Sequence, residues 1–262
     1  MRTGVALVAT VLAATVTVAG CGKPAPVNAP SPAPIASSVA PAATGPPSFS
    51  PKLSGQDVER LPINEKLAAL TFDAGANADA VPSILATLAR ERITATFFLT
   101  GNFVNQYPAQ SKQIAAAGHR IGNHSMTHPP FAGLASALIR HEVVTAAQSI
   151  RGVTGEDPKP LFRFPFGSKD AKALTEINSL GYVAVRWTVD SLGWQGTMNG
   201  TRGPTFTVDR VLAAAVPGEI VLMHVGSNPT DHSMLDAEAL PAVIAGLRQR
   251  GYAFTTLRTL LR

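Results

Sequence analysis

A chain of 262 residues with 45% hydrophobic and 15% charged residues is ordinary for a globular protein of one or two domains. The formal net charge of +5 comes without a stripe of basic residues and interleaved aromatics, so the composition argues against nucleic acid as a partner. A single cysteine, Cys21, excludes an intramolecular disulfide.

The N-terminal residues have the pattern of an export signal. A charged start is followed over residues 4–19 by an apolar run that is too short to span a bilayer on its own. The run ends in Val18-Ala19-Gly20-Cys21, which resembles the lipobox of bacterial lipoproteins, in which the cysteine becomes the first mature residue and carries a lipid. We therefore predict a signal peptide over residues 1–20, a lipid on Cys21 and an extracytoplasmic protein that is anchored to the cell membrane.

Residues 21–56 are predicted to form a tether. Proline, alanine and serine dominate this segment, which cannot bury enough apolar surface to fold, and proline favours an extended backbone. At roughly 3 Å per residue its contour length is on the order of 90 Å. The folded domain is then expected over residues 57–262, a length that can bury a sizeable core.

Strand-like and helix-like segments alternate along the predicted domain. In chain order they are strand 67–72, helix 79–90, strand 95–99, helix 110–117, strand 120–123, helix 135–151, strand 161–164, helix 171–180, strand 182–189, helix 208–215, strand 219–224, helix 235–250 and strand 254–257. The strands are continuously apolar, which favours a parallel sheet that is buried on both faces. We predict an α/β fold with about seven strands, and periodicity leaves open whether the sheet closes into a barrel.

Polar residues follow the predicted strands. Because the carboxyl ends of parallel strands meet at one edge of a sheet, we expect these residues to share one rim. They are Asp73, His124, His128, Arg163, Asp190, Trp194 and His224. The run from His124 to His128 places two imidazoles on one side of a helical turn or opposite each other across a tight loop, and either geometry lets both bind one divalent cation. The remaining histidines, predicted to be surface or loop residues, are His119, His141 and His232.

Five ordered runs resemble the motifs of the polysaccharide deacetylases, the NodB-like enzymes of carbohydrate esterase family 4. The runs are Thr71-Phe72-Asp73-Ala74-Gly75, His124-Ser125-Met126-Thr127-His128, Arg163-Phe164-Pro165-Phe166-Gly167, Asp190-Ser191-Leu192-Gly193-Trp194 and Leu222-Met223-His224. The resemblance covers about residues 66–262. It implies a distorted (β/α) barrel of about seven strands with a mostly parallel sheet, and metal-dependent removal of N- or O-acetyl groups from sugars.

The resemblance implies roles for the rim residues. Asp73 corresponds to the catalytic base, Arg163 to the cation that orients this base, and His224 to the acid that protonates the leaving nitrogen. His124 and His128 correspond to ligands of a divalent metal, zinc in the first place, with cobalt, manganese or nickel as alternatives. The chemistry agrees, because a cation held by neutral imidazoles can polarise an acetyl carbonyl and lower the pKa of a water that it binds.

Three more residues are expected at the substrate. The resemblance implies that the backbone N–H of Phe166 is an oxyanion donor, and that Trp194 and Leu222 form an apolar wall around the acetyl methyl group. From their residue types alone, Trp194 and Leu222 could equally belong to the core.

The first motif departs from the family pattern at Ala74. These enzymes usually carry a second aspartate there, which completes an Asp-His-His metal triad. Asn77 or Asp79, a few residues downstream, could supply the missing oxygen, or Asp73 could bind the metal itself. The sequence does not choose among these alternatives.

The fourth motif departs at Gly193. The family usually carries an acid at this position, just before the tryptophan, and this acid tunes the acid histidine. Asp190 is the candidate replacement.

Two classes of function fit this pattern. The first is a lipid-anchored, metal-dependent hydrolase that removes acetyl groups from a cell-envelope polysaccharide such as peptidoglycan, with the protein as a monomer. The alternative is a non-catalytic glycan-binding lipoprotein on the same scaffold, with a degraded metal site. The base, orienting cation and acid favour the enzyme, whereas Ala74 and Gly193 favour the binder. A solute-binding lipoprotein of a transporter would explain Cys21 but none of the rim residues.

Overall fold

The structure, a computed structural model, describes residues 49–261. The predicted signal peptide, Cys21 and most of the predicted tether lie outside these residues. Within residues 49–261 there is no helix of the length and apolar character needed to cross a membrane.

Strands and helices alternate through the described residues, as the sequence predicts. The strands in this part of the chain are β1 (Asp57–Val58), β2 (Leu67–Ala74), β3 (Thr96–Leu99), β4 (Arg120–Asn123), β5 (Leu161–Phe162), β6 (Val183–Val185), β7 (Val189–Asp190), β8 (Ile220–His224) and β9 (Ala253–Thr255). The α-helices are α1 (Val81–Glu91), α2 (Gly101–Gln106), α3 (Pro108–Ala116), α4 (Ser136–Thr154), α5 (Ala171–Ser179), α6 (Pro204–Ala213) and α7 (Leu235–Gln249).

Local sequence explains where several helices begin and end. A proline, Pro82, lies in the first turn of α1, where its missing N–H leaves no hydrogen bond unmade. Thr100 caps α2 by accepting a hydrogen bond from the Phe103 N–H at 3.0 Å, and Asp170 caps α5 in the same way. Gly155 ends α4 with a φ of 77°, a left-handed conformation that glycine adopts without a steric penalty.

The strands form one curled parallel sheet in the order β1-β6-β5-β4-β3-β2-β8-β7, and β9 pairs with the first residues of β2. Among the described residues no pairing joins β1 to β7, so the barrel stays open on one side. The predicted α/β fold and distorted (β/α) barrel are therefore confirmed, with more strands than predicted because several consist of only two or three residues.

The two faces of the sheet carry different apolar clusters. On β2, Phe72 and Ala74 pack with the surrounding helices, whereas Ala69 packs inside the barrel. Successive side chains on a strand face opposite sides, so Asp73 lies on the inner side at the carboxyl end of β2. The register of the sheet pairs Asp73 with His224 on β8, which brings two of the predicted rim residues side by side.

The strand predicted over residues 182–189 is in fact two strands, β6 and β7. The backbone crosses the open side of the barrel between them: the Arg186 N–H donates to the carbonyl of Val58, the last residue of β1, and the Thr188 N–H donates to the Ile220 carbonyl on β8. A single straight strand could not pair with both edges of the opening.

The folded part of the chain begins before residue 57. The segment 49–56, which we predicted as the end of the tether, contains a short 3₁₀ helix, and Phe49 and Leu53 pack with the cluster inside the barrel. Removing these two apolar side chains from water favours their attachment to the domain. Helix α2 was likewise absent from the predicted elements.

Candidate active site

The carboxyl ends of the strands surround an open cavity of about 540 Å³. Its walls are formed by Asp73, Gly75, Ala76, His124, His128, Phe166, Trp187, Asp190, Trp194, Leu222, His224, Gly226, Ser227 and Pro229. A neighbouring cavity of about 740 Å³ shares Trp187 and Asp190 with it but contains neither the predicted base and acid nor the predicted metal ligands. The smaller cavity is therefore the candidate site.

Arg163 holds Asp73 inside the barrel. Its Nη1 donates to Oδ1 of Asp73 at 2.7 Å, while its Nε and Nη2 donate to the carbonyls of Val185 (3.1 Å) and Arg186 (2.9 Å). The guanidinium is fully buried and lies 4.2 Å from the centre of the Phe98 ring. Because each nitrogen of this planar group has a partner, the position of the Asp73 carboxylate is fixed as well.

The charge state of Asp73 results from opposing effects. Burial raises the pKa of its carboxyl group, but the charge of Arg163, followed by those of His124 and His224, lowers it, and the pKa lies below its ordinary value. Asp73 is therefore ionised at neutral pH, which is the state that can accept a proton.

His124 and His128 lie in a tight loop after β4, which is the second of the two predicted geometries. Ser125 and His128 have φ values of 70° and 63°, and the two imidazole rings meet edge to face with centroids 4.8 Å apart. Nδ1 of His124 lies 2.8 Å from the Arg163 carbonyl and therefore carries the proton. Nε2, which lies 3.3 Å from Oδ2 of Asp73, is left with its lone pair.

Glu142 on α4 anchors this loop. Its Oε2 accepts hydrogen bonds from the N–H groups of Met126 (2.9 Å) and Thr127 (2.8 Å), and its Oε1 accepts one from the Thr127 hydroxyl (2.8 Å). The glutamate is only 4% exposed. The sequence pattern does not single it out, because an acid within a helix usually belongs to a solvated face.

The two histidines have the chemistry of metal ligands. Burial lowers the pKa of His124, and it lowers that of His128 to about 4, so both rings are neutral at pH 7. Within residues 49–261, no three side chains of the His, Cys, Asp or Glu type are arranged to hold one ion. The donor set therefore fits two protein ligands of a divalent cation, one fewer than the three of a typical catalytic zinc site.

Asn77 and Asp79, the compensating ligands that the sequence suggested for Ala74, both contact Ser227. Ala74 is buried on the outer side of β2, so its methyl group does not face the cavity. Oδ1 of Asn77 accepts the Ser227 N–H at 2.8 Å and its Nδ2 donates to the Ser227 carbonyl at 3.0 Å. Asp79 is exposed and accepts the Ser227 hydroxyl at 2.5 Å. Both side chains fasten the loop after β2 to the loop after β8, and neither lines the cavity.

The three predicted substrate residues all line the cavity. Leu222 is 2% exposed on β8, whereas Trp194 and Phe166 are 49% and 70% exposed. Phe166 has a φ of 58°, which costs a non-glycine residue about 1–2 kcal/mol, and its ring packs against His128 with centroids 4.5 Å apart. Trp187, which the sequence pattern placed within a strand, adds a further aromatic wall.

His224 is contacted by Asp236, whereas Asp190, the candidate replacement from the sequence, makes no hydrogen bond to it. Oδ2 of Asp236 accepts the backbone N–H of His224 at 2.8 Å and lies 3.3 Å from its Nδ1. The two carboxylate oxygens of Asp190 instead accept the Trp194 indole N–H (3.3 Å) and the Leu192 N–H (2.8 Å). The sequence pattern does not reveal Asp236, because an aspartate in the first turn of a helix usually serves to complement the helix dipole.

These carboxylates determine the charge of His224. Burial lowers the pKa of its imidazole, but the hydrogen bond and charge of Asp236, followed by the charges of Asp73 and Asp190, outweigh burial, and the pKa lies above its ordinary value. These carboxylates therefore favour the protonated form of the imidazole that shares the cavity with Asp73.

The other three histidines are not among the residues that line this cavity. His141 and His232 are exposed, as predicted. His119 lies in the loop before β4, as predicted, but it is buried there with 8% exposure: its Nδ1 accepts the Ala95 N–H at 3.3 Å and its ring lies 5.1 Å from that of Phe97.

Comparison with known proteins relates this arrangement to an enzyme family. The family profile described as polysaccharide deacetylase matches residues 61–185. The chain is 34% identical over 197 residues to the peptidoglycan-N-acetylmuramic acid deacetylase PdaA of Bacillus subtilis, covering 75% of this chain and 72% of that protein. It is 33% identical over 195 residues to a chitooligosaccharide deacetylase of Sinorhizobium fredii, covering 72% of this chain and 88% of that protein.

The fold is also similar to that of a solved structure. A CE4 family pseudoenzyme from Bacillus anthracis superposes with a TM-score of 0.71 at 30% identity, covering 80% of this chain and 70% of that one. A mutant of that pseudoenzyme is described as having restored enzymatic activity. The matched profile, the extent of the identity and the shared fold together show that this chain belongs to the polysaccharide deacetylase family.

Proposed function

We propose that the protein is a metal-dependent hydrolase that removes acetyl groups from an acetylated cell-envelope polysaccharide such as peptidoglycan. The observation that carries this proposal is the gathering of an ionised carboxylate, two neutral imidazoles and a third imidazole whose pKa is raised around one cavity. Asp73 is the base, His224 is the acid, and Arg163 holds the base in position.

His124 and His128 would hold the divalent metal, with zinc as the first choice for two imidazoles and with cobalt, manganese or nickel as alternatives. When bound, such an ion polarises the acetyl carbonyl and makes water easier to deprotonate. The hydrogen bond between Nδ1 of His124 and the Arg163 carbonyl fixes the tautomer that offers Nε2 as a ligand.

The protein's own groups move the protons of the reaction. Asp73 accepts a proton from the attacking water, whose oxygen forms a bond to the acetyl carbon. The carbon–nitrogen bond then breaks as His224 delivers its proton to the nitrogen, so acetate and a free amine leave. We assign to the N–H of Phe166 the stabilisation of the carbonyl oxygen while it carries negative charge.

Aromatic side chains support a sugar substrate. Phe166 and Trp194 are exposed at the cavity, and Trp187 lines it, so flat apolar faces of sugar rings can pack against them. The names of the two relatives above refer to the N-acetylmuramic acid of peptidoglycan and to chitooligosaccharides. We therefore propose a 2-acetamido sugar in a cell-envelope polymer as the substrate, with Leu222 against the acetyl methyl group.

The N-terminal pattern supports a location for this activity. We propose that the chain is exported, carries a lipid on Cys21, and reaches its substrate as an extracytoplasmic monomer from a membrane anchor through its proline-rich tether.

A glycan-binding protein without turnover is the second candidate. It is favoured by the outward-facing Ala74 and by the fact that no third His, Cys, Asp or Glu ligand completes the pair in residues 49–261. The similarity to a described pseudoenzyme agrees with this alternative.

Acetate release separates the two candidates. The protein is stripped with a chelator, titrated with zinc, cobalt, manganese or nickel, and assayed on peptidoglycan fragments and chitooligosaccharides. We expect metal-dependent release that is abolished in His124→Ala and in Asp73→Asn but kept in His141→Ala, which removes an exposed histidine. Binding of the glycans without release at any metal concentration would favour the binder, and activity in His124→Ala would refute the metal mechanism.

A further inference from the structure

Asp236 is a buried carboxylate that contacts His224 twice. It lies in the first turn of α7 and is only 3% exposed. One oxygen, Oδ2, accepts the backbone N–H of His224 at 2.8 Å and lies 3.3 Å from Nδ1 of the same residue. The aspartate therefore fixes both the end of β8 and the orientation of the imidazole that it carries, so that Nε2 is the nitrogen available to the cavity.

The other oxygen of Asp236 lies against Gly193. A Cβ atom added to Gly193 would be 2.3 Å from Oδ1, 2.5 Å from Cγ and 2.9 Å from Oδ2 of Asp236. Such distances are far below van der Waals contact, so no side chain can occupy position 193 while Asp236 holds this position. Gly193 is not among the residues with positive φ, so space and not backbone conformation requires glycine here.

Position 193 is also where the motif resemblance implies an acid. The carboxylate of Asp236 fills the space in which a side chain at 193 would begin, but it is supplied by α7 instead of by the loop after β7. We propose that Asp236 is the positioning residue for the acid His224, and that the Asp236–Gly193 pair replaces an acidic side chain at position 193. This inference rests on the proposed function for the role of His224 in turnover.

The surroundings of Asp236 strengthen its coupling to His224. Among the described residues, Oδ1 of Asp236 has no hydrogen-bond partner, so the imidazole and the N–H of His224 are the chief compensation for its buried charge. If His224 lost its proton, the buried negative charge of Asp236 would lose most of its compensation. This cost opposes deprotonation of the His224 imidazole.

Three carboxylates from three elements face the charge of His224: Asp236 from α7, Asp73 from β2 and Asp190 from β7. Of these three, Asp236 is hydrogen-bonded to the imidazole. Asp73 instead accepts a hydrogen bond from Arg163, and Asp190 accepts one from the Trp194 indole. Asp236 should therefore contribute most to keeping His224 protonated.

The deciding experiment removes the negative charge of the Asp236 side chain while keeping its shape. In Asp236→Asn we expect the pKa of His224, followed by NMR of its imidazole in the full chain, to fall by about one unit or more. We expect kcat to fall by about tenfold to a hundredfold, with KM changed by less than about threefold. The matched control is Glu238→Gln, which removes an exposed carboxylate from the same helical turn and should change neither quantity.

The titration also separates this inference from the proposed function. If His224 in Asp236→Asn titrates as it does in the unaltered protein, Asp236 does not position it and the inference fails. If the titration shifts but neither protein releases acetate, the contact is upheld and the proposed function fails instead.

A transplant tests the equivalence of the two positions. Gly193→Asp alone should be inactive because its side chain overlaps Asp236, and Asp236→Ala alone should lack the partner of His224. We expect the double variant Asp236→Ala with Gly193→Asp to regain at least about tenfold in kcat over Asp236→Ala, together with a higher pKa of His224. A folded double variant in which His224 titrates as in Asp236→Ala would overturn the equivalence.

Discussion

At the scale of single residues, Arg163 is the centre of the site. Arg163 follows β5, and its side chain makes three hydrogen bonds: to the last residue of β6, to the residue after β6 and to the base Asp73. Its own carbonyl accepts from His124. One buried guanidinium thus positions the proton acceptor and also fixes the tautomer of a metal ligand. A lysine cannot replace it, because an ammonium lacks the planar fork of donors.

We expect Arg163→Lys to lose both activity and stability. The carbonyls of Val185 and Arg186 would lose their donors, which should lower the free energy of unfolding by about 2–4 kcal/mol. The rate of acetate release should fall by about a hundredfold or more, because Asp73 is no longer held. Urea denaturation and initial rates test this, with the exposed Arg140→Lys as control; unchanged rates in Arg163→Lys would refute the positioning role.

The histidine pair predicts a metal effect that does not require turnover. Zinc should raise the melting temperature of the chelator-treated protein, because an ion that binds only the folded state stabilises it by mass action. The shift should disappear in His128→Ala and remain in His141→Ala. A zinc-induced shift in His128→Ala equal to that of the unaltered protein would show that the ion binds elsewhere.

At the scale of elements, the loop after β4 depends on α4. Two residues of the loop have left-handed φ values, and three hydrogen bonds to Glu142, two from backbone N–H groups and one from a hydroxyl, hold the two residues between them. The histidines therefore reach their geometry through a buried acid on a helix that does not line the cavity.

We expect Glu142→Gln to weaken metal binding without unfolding the protein. An amide keeps the shape but cannot accept on both of its terminal atoms, so at least one loop N–H or hydroxyl loses its partner. Zinc affinity, measured by calorimetry, should fall by about tenfold to a hundredfold, as for other groups that orient metal ligands. The control is Glu156→Gln, an exposed glutamate just after α4, and equal affinities in both variants would exclude the anchoring role.

At the scale of the whole molecule, the end of the barrel away from the site contains an unpaired acid. Glu219 immediately precedes β8, is fully buried, and neither of its carboxylate oxygens has a hydrogen-bond partner among the described residues. Burial raises the pKa of Glu219 to about 7, although the charge of Arg250 opposes the shift. The folded state therefore favours the protonated form of Glu219. The contribution of this group to the free energy of unfolding is complete below about pH 4.5 and is lost as the pH rises through about 7.

This pH dependence should be absent in Glu219→Gln. The quantity to compare is the free energy of unfolding of the variant minus that of the unaltered protein. We expect this difference to be more favourable to the variant at pH 8 than at pH 4.5, by on the order of 3 kcal/mol. Urea denaturation at the two pH values tests this, with the exposed Glu238→Gln as control. An identical difference at both pH values would mean that Glu219 ionises normally in the folded state.

Much of the fold could be predicted from the sequence because parallel strands and amphipathic helices leave local patterns. The strand predicted over residues 120–123 matches β4, and the helix predicted over residues 235–250 differs from α7 by one residue. The break between β6 and β7 could not be predicted, because it results from the opening of the barrel and not from local propensity.

The site, like the fold, has residues that the sequence predicts and residues that only the tertiary structure reveals. Asp73, His124, His128, Arg163 and His224 follow strands in the sequence, so their presence at one rim could be deduced from the parallel arrangement. What the sequence by itself determined is therefore the family resemblance, the α/β alternation and the polar residues at strand ends. Only the tertiary structure decided that Ala74 faces the helices, that Asn77 and Asp79 fasten loops, and that Asp236 lies between Gly193 and His224. These depend on contacts between residues far apart in the chain, which no local pattern of hydrophobicity or spacing records.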